Sequence, residues 1–170
     1  KIPTAVRNSG KNMDWGSMFI HRQENERNVL IDFLKGIKWE NPFAITTNMT
    51  PKVWRDVSQN FRHFMNRLNQ GFLGNSFRRF GARLRVLPII EGCETSNPHY
   101  HCIIDNPFPD RDTEFANAIK EAWWKTELGR TGRTNILVKR MEDDGWLRYM
   151  TKRRSKKSLL DSVDWQNTHI

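Results

Sequence analysis

Pro98-His99-Tyr100-His101-Cys102-Ile103-Ile104 is the most informative stretch of this 170-residue sequence. It is apolar and β-prone, it begins with Asn-Pro, and Asp-Asn-Pro follows it, which predicts a short buried strand. Side chains alternate between the two faces of a strand, so His99 and His101 share one face while Tyr100 and Cys102 share the other. The two imidazoles are therefore placed to bind one metal ion together.

The sequence around this strand predicts an alternation of strands and helices. β-branched and apolar residues indicate three further strands, and amphipathic spacing indicates four helices. The strands are expected at 43–47, 83–91 and 135–139, and the helices at 22–38, 50–69, 113–128 and 145–155. The order is helix, β-α-β-β-α-β, helix, which predicts an α+β fold of the ferredoxin-like (split βαβ) type, an antiparallel sheet with flanking helices.

Glycine and proline indicate where several of these elements begin and end. Thr50 and Pro51 suit the N-cap and first position of the second helix, and Gly71 and Gly74 are expected to end that helix. Pro88 lacks a backbone N–H group, which predicts that its strand lies at an edge of the sheet or contains a bulge.

Charge and composition restrict the class of protein. The formal net charge of +9 favours a polyanionic partner, with nucleic acid first and an acidic membrane surface second. No apolar run approaches the roughly 20 residues of a membrane span, and no signal-peptide pattern opens the chain. Two cysteines do not make a disulfide framework. An intracellular location in the cytoplasm or nucleus, without secretion, is expected.

Glu91 lies at the end of the strand before the histidine strand, across a hairpin loop. A hairpin places such positions side by side, so the Glu91 carboxylate can join the two imidazoles. Two nitrogens and one carboxylate oxygen suit a divalent Mn²⁺ or Mg²⁺ ion, and the mixed donor set suits Mn²⁺ well. Glu94, inside the loop, is an alternative third ligand. A zinc site that includes Cys93 and Cys102 is a further alternative, although Cys102 is expected to point away from both histidines.

Tyr149 and Lys152 are three residues apart on the last predicted helix, so we expect them on one helical face. A phenol has a pKa of about 10 and attacks poorly unless a metal ion or another cation lowers the barrier. A lysine one turn away, facing a metal ion that polarises a phosphate, meets that need. The pair is therefore a candidate nucleophile with its activating cation.

Three motifs of this sequence resemble those of the HUH endonucleases. The closest similarity is to rolling-circle replication initiator (Rep) proteins with a single catalytic tyrosine and a YxxK motif. Phe43-Ala44-Ile45-Thr46-Thr47 resembles the first motif, Glu91 with His99-Tyr100-His101 the second, and Tyr149-Met150-Thr151-Lys152 the third. Their order along the chain also matches, and the resemblance covers about residues 43–157. Tyr100 departs from the pattern, because an aliphatic residue is usual there.

The resemblance implies site-specific, metal-dependent nicking and rejoining of single-stranded DNA at a replication origin. The reaction passes through a 5′-phosphotyrosine intermediate and initiates rolling-circle replication of a plasmid, virus or mobile element. It implies that Glu91, His99 and His101 bind the Mn²⁺ or Mg²⁺ ion. It implies that Tyr149 attacks the phosphate and that Lys152 offsets charge in the transition state. A helicase domain or protein is a further expected partner, and a membrane is not.

The same resemblance implies that the DNA strand crosses the open sheet face beside the metal ion. Contacts to its backbone are expected from basic residues and are mostly independent of sequence. The candidate DNA-binding residues are Arg78, Arg79, Arg83, Arg85, Arg153, Arg154, Lys156 and Lys157. The expected division of the chain is an N-terminal arm and helix (1–42), the HUH domain (43–157), and a C-terminal tail or start of a linker (158–170).

Other functions share some of these features. Many relaxases have a third histidine and an N-terminal tyrosine, and short transposases usually pair the tyrosine with glutamine. The late Tyr149 and the nearby Lys152 therefore favour a replication initiator over a relaxase or a single-tyrosine transposase. A non-catalytic basic nucleic-acid-binding module, such as an RNA-recognition domain, is another alternative, but the Lys/Arg-Gly-Phe/Tyr-type signature of that domain is not found.

Overall fold

The computed structural model describes residues 15–49, 55–93, 97–131, 136–152 and 158–170. Its helices and strands are α1 (Trp15–Gly36), β1 (Pro42–Asn48), α2 (Arg55–Leu73), α3 (Asn75–Phe80), β2 (Val86–Glu91), β3 (His99–Asp105), α4 (Asp112–Trp124), β4 (Ile136–Arg140) and α5 (Gly145–Met150). Residues 158–170, called the C-terminal segment below, consist of turns with a short 3-10 helix at Trp165–Asn167. No helix in these ranges is long and apolar enough to cross a membrane.

The four strands form one antiparallel sheet in the order β2-β3-β1-β4. The predicted ferredoxin-like α+β fold is therefore confirmed, with the histidine strand β3 between β2 and β1. Pro88 lies on β2, an edge strand, as its missing N–H group predicted.

Helices cover both faces of the sheet. On the face that carries Tyr100 and Cys102, α2 and α4 contribute a core of fully buried aromatic rings that includes Phe61, Phe64 and Trp123. Burial of one such side chain contributes about 1.5–3 kcal/mol. On the other face, α1, α5 and the C-terminal segment cover the inner residues of β2 and β3. That second core consists of Leu30, Leu34, Leu87, Ile89, Ile103, Leu147, Met150, Leu159 and Val163.

The histidine face is thus less open than the sequence suggested. His101 and Ile103 share this face, and α1 and the C-terminal segment cover its β2–β3 half. The β1–β4 half remains accessible, because Leu137 on β4 is 50% exposed and Lys139 is also exposed. A nucleic-acid strand can therefore reach this face only along β1 and β4.

Some element boundaries differ from the prediction. Helix α2 continues through Gly71 to Leu73, since the side chain of Phe72 packs against Phe108 and Phe115 and so compensates for the glycine. Helix α4 ends at Trp124, before the expected end at Gly129. The hydroxyl of Thr126 donates to the carbonyl of Trp123 and accepts the Gly129 N–H, which closes a turn at this point.

Three other differences are smaller. Helix α1 begins at Trp15, earlier than expected, and β2 begins at Val86 rather than at residue 83. Helix α3 was not predicted, and it follows Gly74, which has a positive φ of 55°. The predicted helix start at Thr50 and Pro51 lies outside the described residues.

Candidate metal centre

The structure brings together the three side chains predicted to bind metal. Glu91 pairs directly with His99 across β2 and β3, and His101 lies two residues further along the same face. The Oε2 atom of Glu91 is 3.6 Å from Nε2 of His99 and 3.8 Å from Nε2 of His101. One ligand atom from each residue lies within 4.8 Å of the other two, so this Glu–His–His cluster could hold a metal ion.

Hydrogen bonds orient both imidazoles. The Nδ1 atom of His101 is 3.0 Å from the hydroxyl of Thr46, its partner on β1. The Nδ1 atom of His99 is 3.1 Å from the carbonyl oxygen of Asn97. Partners at Nδ1 that leave Nε2 directed at a shared carboxylate are typical of metal-binding histidines. The donor set therefore fits a divalent cation.

The cluster is shielded from water to different degrees. Glu91 and His101 are each 2% exposed, whereas His99 is half-buried. The hydrogen bond to Glu91 raises the pKa of His99 above its ordinary value, and burial acts in the opposite direction. A bound cation would therefore compete with a proton for Nε2 of His99, and His99 forms the accessible side of the cluster.

Tyr149 lies beside the cluster on α5. Its ring centroid is 5.0 Å from that of His101, with an angle of 76° between the rings, and its side chain is 45% exposed. Trp146, one turn earlier, stacks on Tyr149 at 5.2 Å, and its indole N–H donates to the carbonyl of Cys102 on β3. Sequence reasoning missed Trp146, which connects the tyrosine to the strand that carries the histidines.

Lys152 is close to Tyr149, but not as a neighbour on a continuous helix. Helix α5 ends at Met150, and the N–H of Lys152 donates to the carbonyl of Tyr149 in the turn that follows. The ammonium group of Lys152 lies 3.6 Å from the centroid of the Tyr149 ring. The guanidinium of Arg27 on α1 donates to the carbonyl of Thr151 and fixes this turn. The expected proximity is present, while the expected shared helical face is wrong.

Tyr100, the only other tyrosine of the sequence, is turned away from the cluster. Its side chain is fully buried on the opposite face of the sheet, and its hydroxyl donates to the carboxylate of Asp164. Burial, with a smaller effect of Asp164, raises its pKa far above the ordinary value, so it remains a neutral phenol. Cys102 is buried on the same face as Tyr100, which separates its thiol from the histidines and weakens the zinc alternative.

The described candidate DNA-binding arginines do not gather around the cluster. Arg78 and Arg79 lie on α3, and Arg83 and Arg85 lead into the start of β2. Glu91 is at the other end of β2, about 17 Å away for a strand of this length. Arg85 forms an ion pair with Asp105. The remaining candidates, Glu94, Arg153, Arg154, Lys156 and Lys157, lie outside the described residues.

This combination of fold and site defines a class. An open antiparallel sheet with two histidines on its central strand, a glutamate beside them and a tyrosine on the following helix is the arrangement of a Rep-type HUH protein. The model of a family described as "Replication-associated protein" matches residues 43–158, more than half of the chain. The chain belongs to this family, and it is a replication-associated protein that interacts with DNA. Comparisons with curated proteins and with solved structures give no match.

Proposed function

We propose that this chain nicks and rejoins single-stranded DNA at a replication origin and thereby initiates rolling-circle replication of a plasmid, virus or mobile element. The observation that carries the proposal is the position of Tyr149, whose ring is 5.0 Å from His101 at the accessible side of the Glu–His–His cluster. A half-exposed phenol beside a set of metal ligands is the arrangement that a phosphotyrosine-forming nuclease requires.

Glu91, His99 and His101 would hold the metal ion. Two imidazole nitrogens and a carboxylate favour Mn²⁺ over Mg²⁺, which prefers an all-oxygen shell. When bound, the ion supplies Lewis-acid polarisation of the scissile phosphate. Thr46 and Asn97 keep both Nε2 atoms directed at the carboxylate, so the site needs little rearrangement to bind the ion.

Tyr149 is the proposed nucleophile. Its phenolic oxygen forms a bond to phosphorus while the bond from phosphorus to the 3′ oxygen breaks in line. The phenolic proton leaves to solvent, and the departing 3′ oxygen takes up a proton to become a hydroxyl. The Lys152 ammonium beside the ring favours the phenolate and offsets negative charge in the transition state. Stacking of Trp146 on the ring restricts its motion before attack.

Rejoining is the reverse step. A 3′ hydroxyl attacks the phosphotyrosine, the new phosphodiester forms, and Tyr149 leaves with its oxygen reprotonated. The energy of the cleaved bond is conserved in the phosphotyrosine, so no nucleotide cofactor is needed for this step.

The proposed path of the DNA is the β1–β4 half of the histidine face. Leu137 offers an exposed apolar surface for a base, and Lys139 on the same face offers a cation for a phosphate. Leu137 pairs with Thr46 on β1, which pairs in turn with His101, so this path leads directly to the cluster. Separation of the duplex would fall to a helicase domain or protein.

The test is a cleavage assay with origin-containing single strands and saturating Mn²⁺, read on denaturing gels for a covalent protein–DNA adduct. We expect the parent chain to form the adduct and a chelator to abolish it. Tyr149→Phe should form none, because it keeps the ring but lacks the attacking oxygen. Tyr100→Phe is the matched control, since it removes the only other phenol and should still give the adduct at saturating metal.

An adduct formed by Tyr149→Phe would remove this residue from the mechanism. Cleavage that persists at full rate in chelator would remove the Glu–His–His cluster from it. Absence of any cleavage by the parent chain on all origin strands would leave a DNA-binding role alone.

A further inference from the structure

The C-terminal segment, most of which lies beyond the family match, pairs with the strand that carries Glu91. The N–H of Val86 donates to His169 at 2.6 Å, and the N–H of His169 donates back at 2.9 Å. The N–H of Asp164 donates to the carbonyl of Pro88 at 3.0 Å, and the N–H of Ile90 donates to Ser162 at 2.8 Å. The C-terminal segment therefore serves as an additional partner along the outer edge of β2 and ends its contacts one residue before Glu91.

The same segment also holds the strand that carries the histidines. One oxygen of the Asp164 carboxylate, Oδ2, accepts hydrogen bonds from the hydroxyl of Tyr100 at 2.7 Å, from Ser58 at 2.9 Å and from the side-chain amide of Asn167 at 2.7 Å. The phenol is fully buried, so water cannot replace this hydrogen bond. Tyr100 lies between His99 and His101 in sequence, and its attachment fixes the strand on the face opposite to the imidazoles.

We propose that Asp164, acting through the hydroxyl of Tyr100, is a positioning residue for the Glu–His–His cluster. The inference rests on the proposed function, since it assigns the residue a part in metal binding by that site. It also accounts for Tyr100, the residue that departs from the usual motif: an aliphatic side chain could not reach Asp164 by a hydrogen bond. Loss of the bond would let β3 shift against β2 and spread the three ligand atoms.

The experiment measures Mn²⁺ affinity by titration and the visible absorption spectrum of the Co²⁺-loaded chain, both at a temperature where every variant is folded. We expect Asp164→Asn and Tyr100→Phe each to weaken Mn²⁺ binding by about 3- to 10-fold, less than the 10–100-fold of groups that bond directly to a ligand. Both should alter the Co²⁺ spectrum, which reports ligand geometry. In the double variant the losses should not add, because both changes break one interaction.

Two matched variants separate positioning from general effects. Asp161→Asn removes an exposed carboxylate from the same segment, and Ser58→Ala removes a different hydrogen bond to the Asp164 carboxylate. Both should leave Mn²⁺ affinity and the Co²⁺ spectrum unchanged. If Asp161→Asn weakens binding equally, the effect is one of net charge and the proposal fails.

Variants that unfold at lower temperature but keep the parent Kd and spectrum would show a structural role only and would overturn the proposal. If Asp164→Asn does not fold, Tyr100→Phe decides alone, because it preserves the ring. A parent chain that cleaves DNA while both variants bind metal normally refutes only this inference. A parent chain that binds Mn²⁺ but never cleaves refutes the proposed function and leaves the positioning measurable, and one that binds no metal refutes both.

Discussion

Thr46 and Thr47 are adjacent on β1 and offer a paired test of the metal centre. The hydroxyl of Thr46 is 3.0 Å from Nδ1 of His101, on the face of the cluster. Thr47 points to the opposite face, is fully buried, and its hydroxyl has no hydrogen-bond partner among the described residues. Substitution of each by valine keeps the side-chain shape and removes one hydroxyl.

The magnitude follows from what each hydroxyl contacts. Loss of the group that orients a metal-binding histidine costs about 10- to 100-fold in metal affinity, roughly 1.4–2.7 kcal/mol. His101 is 2% exposed, so water cannot take the place of the Thr46 hydroxyl, and we expect Thr46→Val to fall toward the upper end of that range. Thr47→Val exchanges a buried hydroxyl without a partner for a methyl group, and should leave metal affinity unchanged and stability equal or slightly higher.

Mn²⁺ titration by calorimetry and thermal unfolding of the metal-free chain measure the two quantities separately. Equal Mn²⁺ affinity of Thr46→Val and the parent would refute the role of this hydrogen bond. A loss of affinity in Thr47→Val as large as that in Thr46→Val would show that β1 responds to any change of packing, and the argument from the two faces would fail.

Three further predictions concern the loop, the acid range and the lysine. Gly92 has a φ of 74°, and a Cβ there would lie 2.1 Å from a backbone oxygen across the loop, so Gly92→Ala should destabilise the fold by at least about 1–2 kcal/mol. Gly71→Ala, in a helix with open space around it, should instead stabilise the fold by about 0.5–1 kcal/mol, and chemical denaturation compares the two. The pKa of Asp112 is lowered, mainly by the hydrogen bond from Asn41, so the unfolded state binds more protons in acid. Stability should therefore fall as the pH drops below about 4, and this fall should be weaker in Asp112→Asn when unfolding is measured from pH 2 to 6. Lys152→Met should lower the single-turnover cleavage rate by about 100-fold with a smaller change in DNA affinity, and equal rates would exclude its proposed role.

Local patterns in the sequence predicted the features that neighbouring residues determine. The alternation of side chains along β3 placed both histidines on one face, and the short loop before it placed Glu91 opposite His99. The order of strands and helices then restricted the topology to the ferredoxin-like sheet. These features depend on periodicity and loop length, which a single sequence contains.

Contacts between distant segments could not be predicted in the same way. Nothing in the patterns placed Asp164 against Tyr100, Arg27 against Thr151, or α1 over the histidine face. Such contacts depend on how helices and turns pack across the sheet, and many packings are compatible with one amphipathic pattern. Trp146 was missed for a related reason, since a tryptophan on a short helix is most often a core residue.

The two edges of the sheet are protected by different means. Along β2 the chain supplies its own extra partner, so the outward N–H groups of Val86 and Ile90 are already occupied. The opposite edge, β4, is only five residues long and carries the exposed cation of Lys139. Short length and lysine both discourage a strand of a second molecule from joining a sheet. We therefore expect this sheet to resist edge-to-edge aggregation, even at the high local concentrations reached when several molecules gather on one nucleic acid.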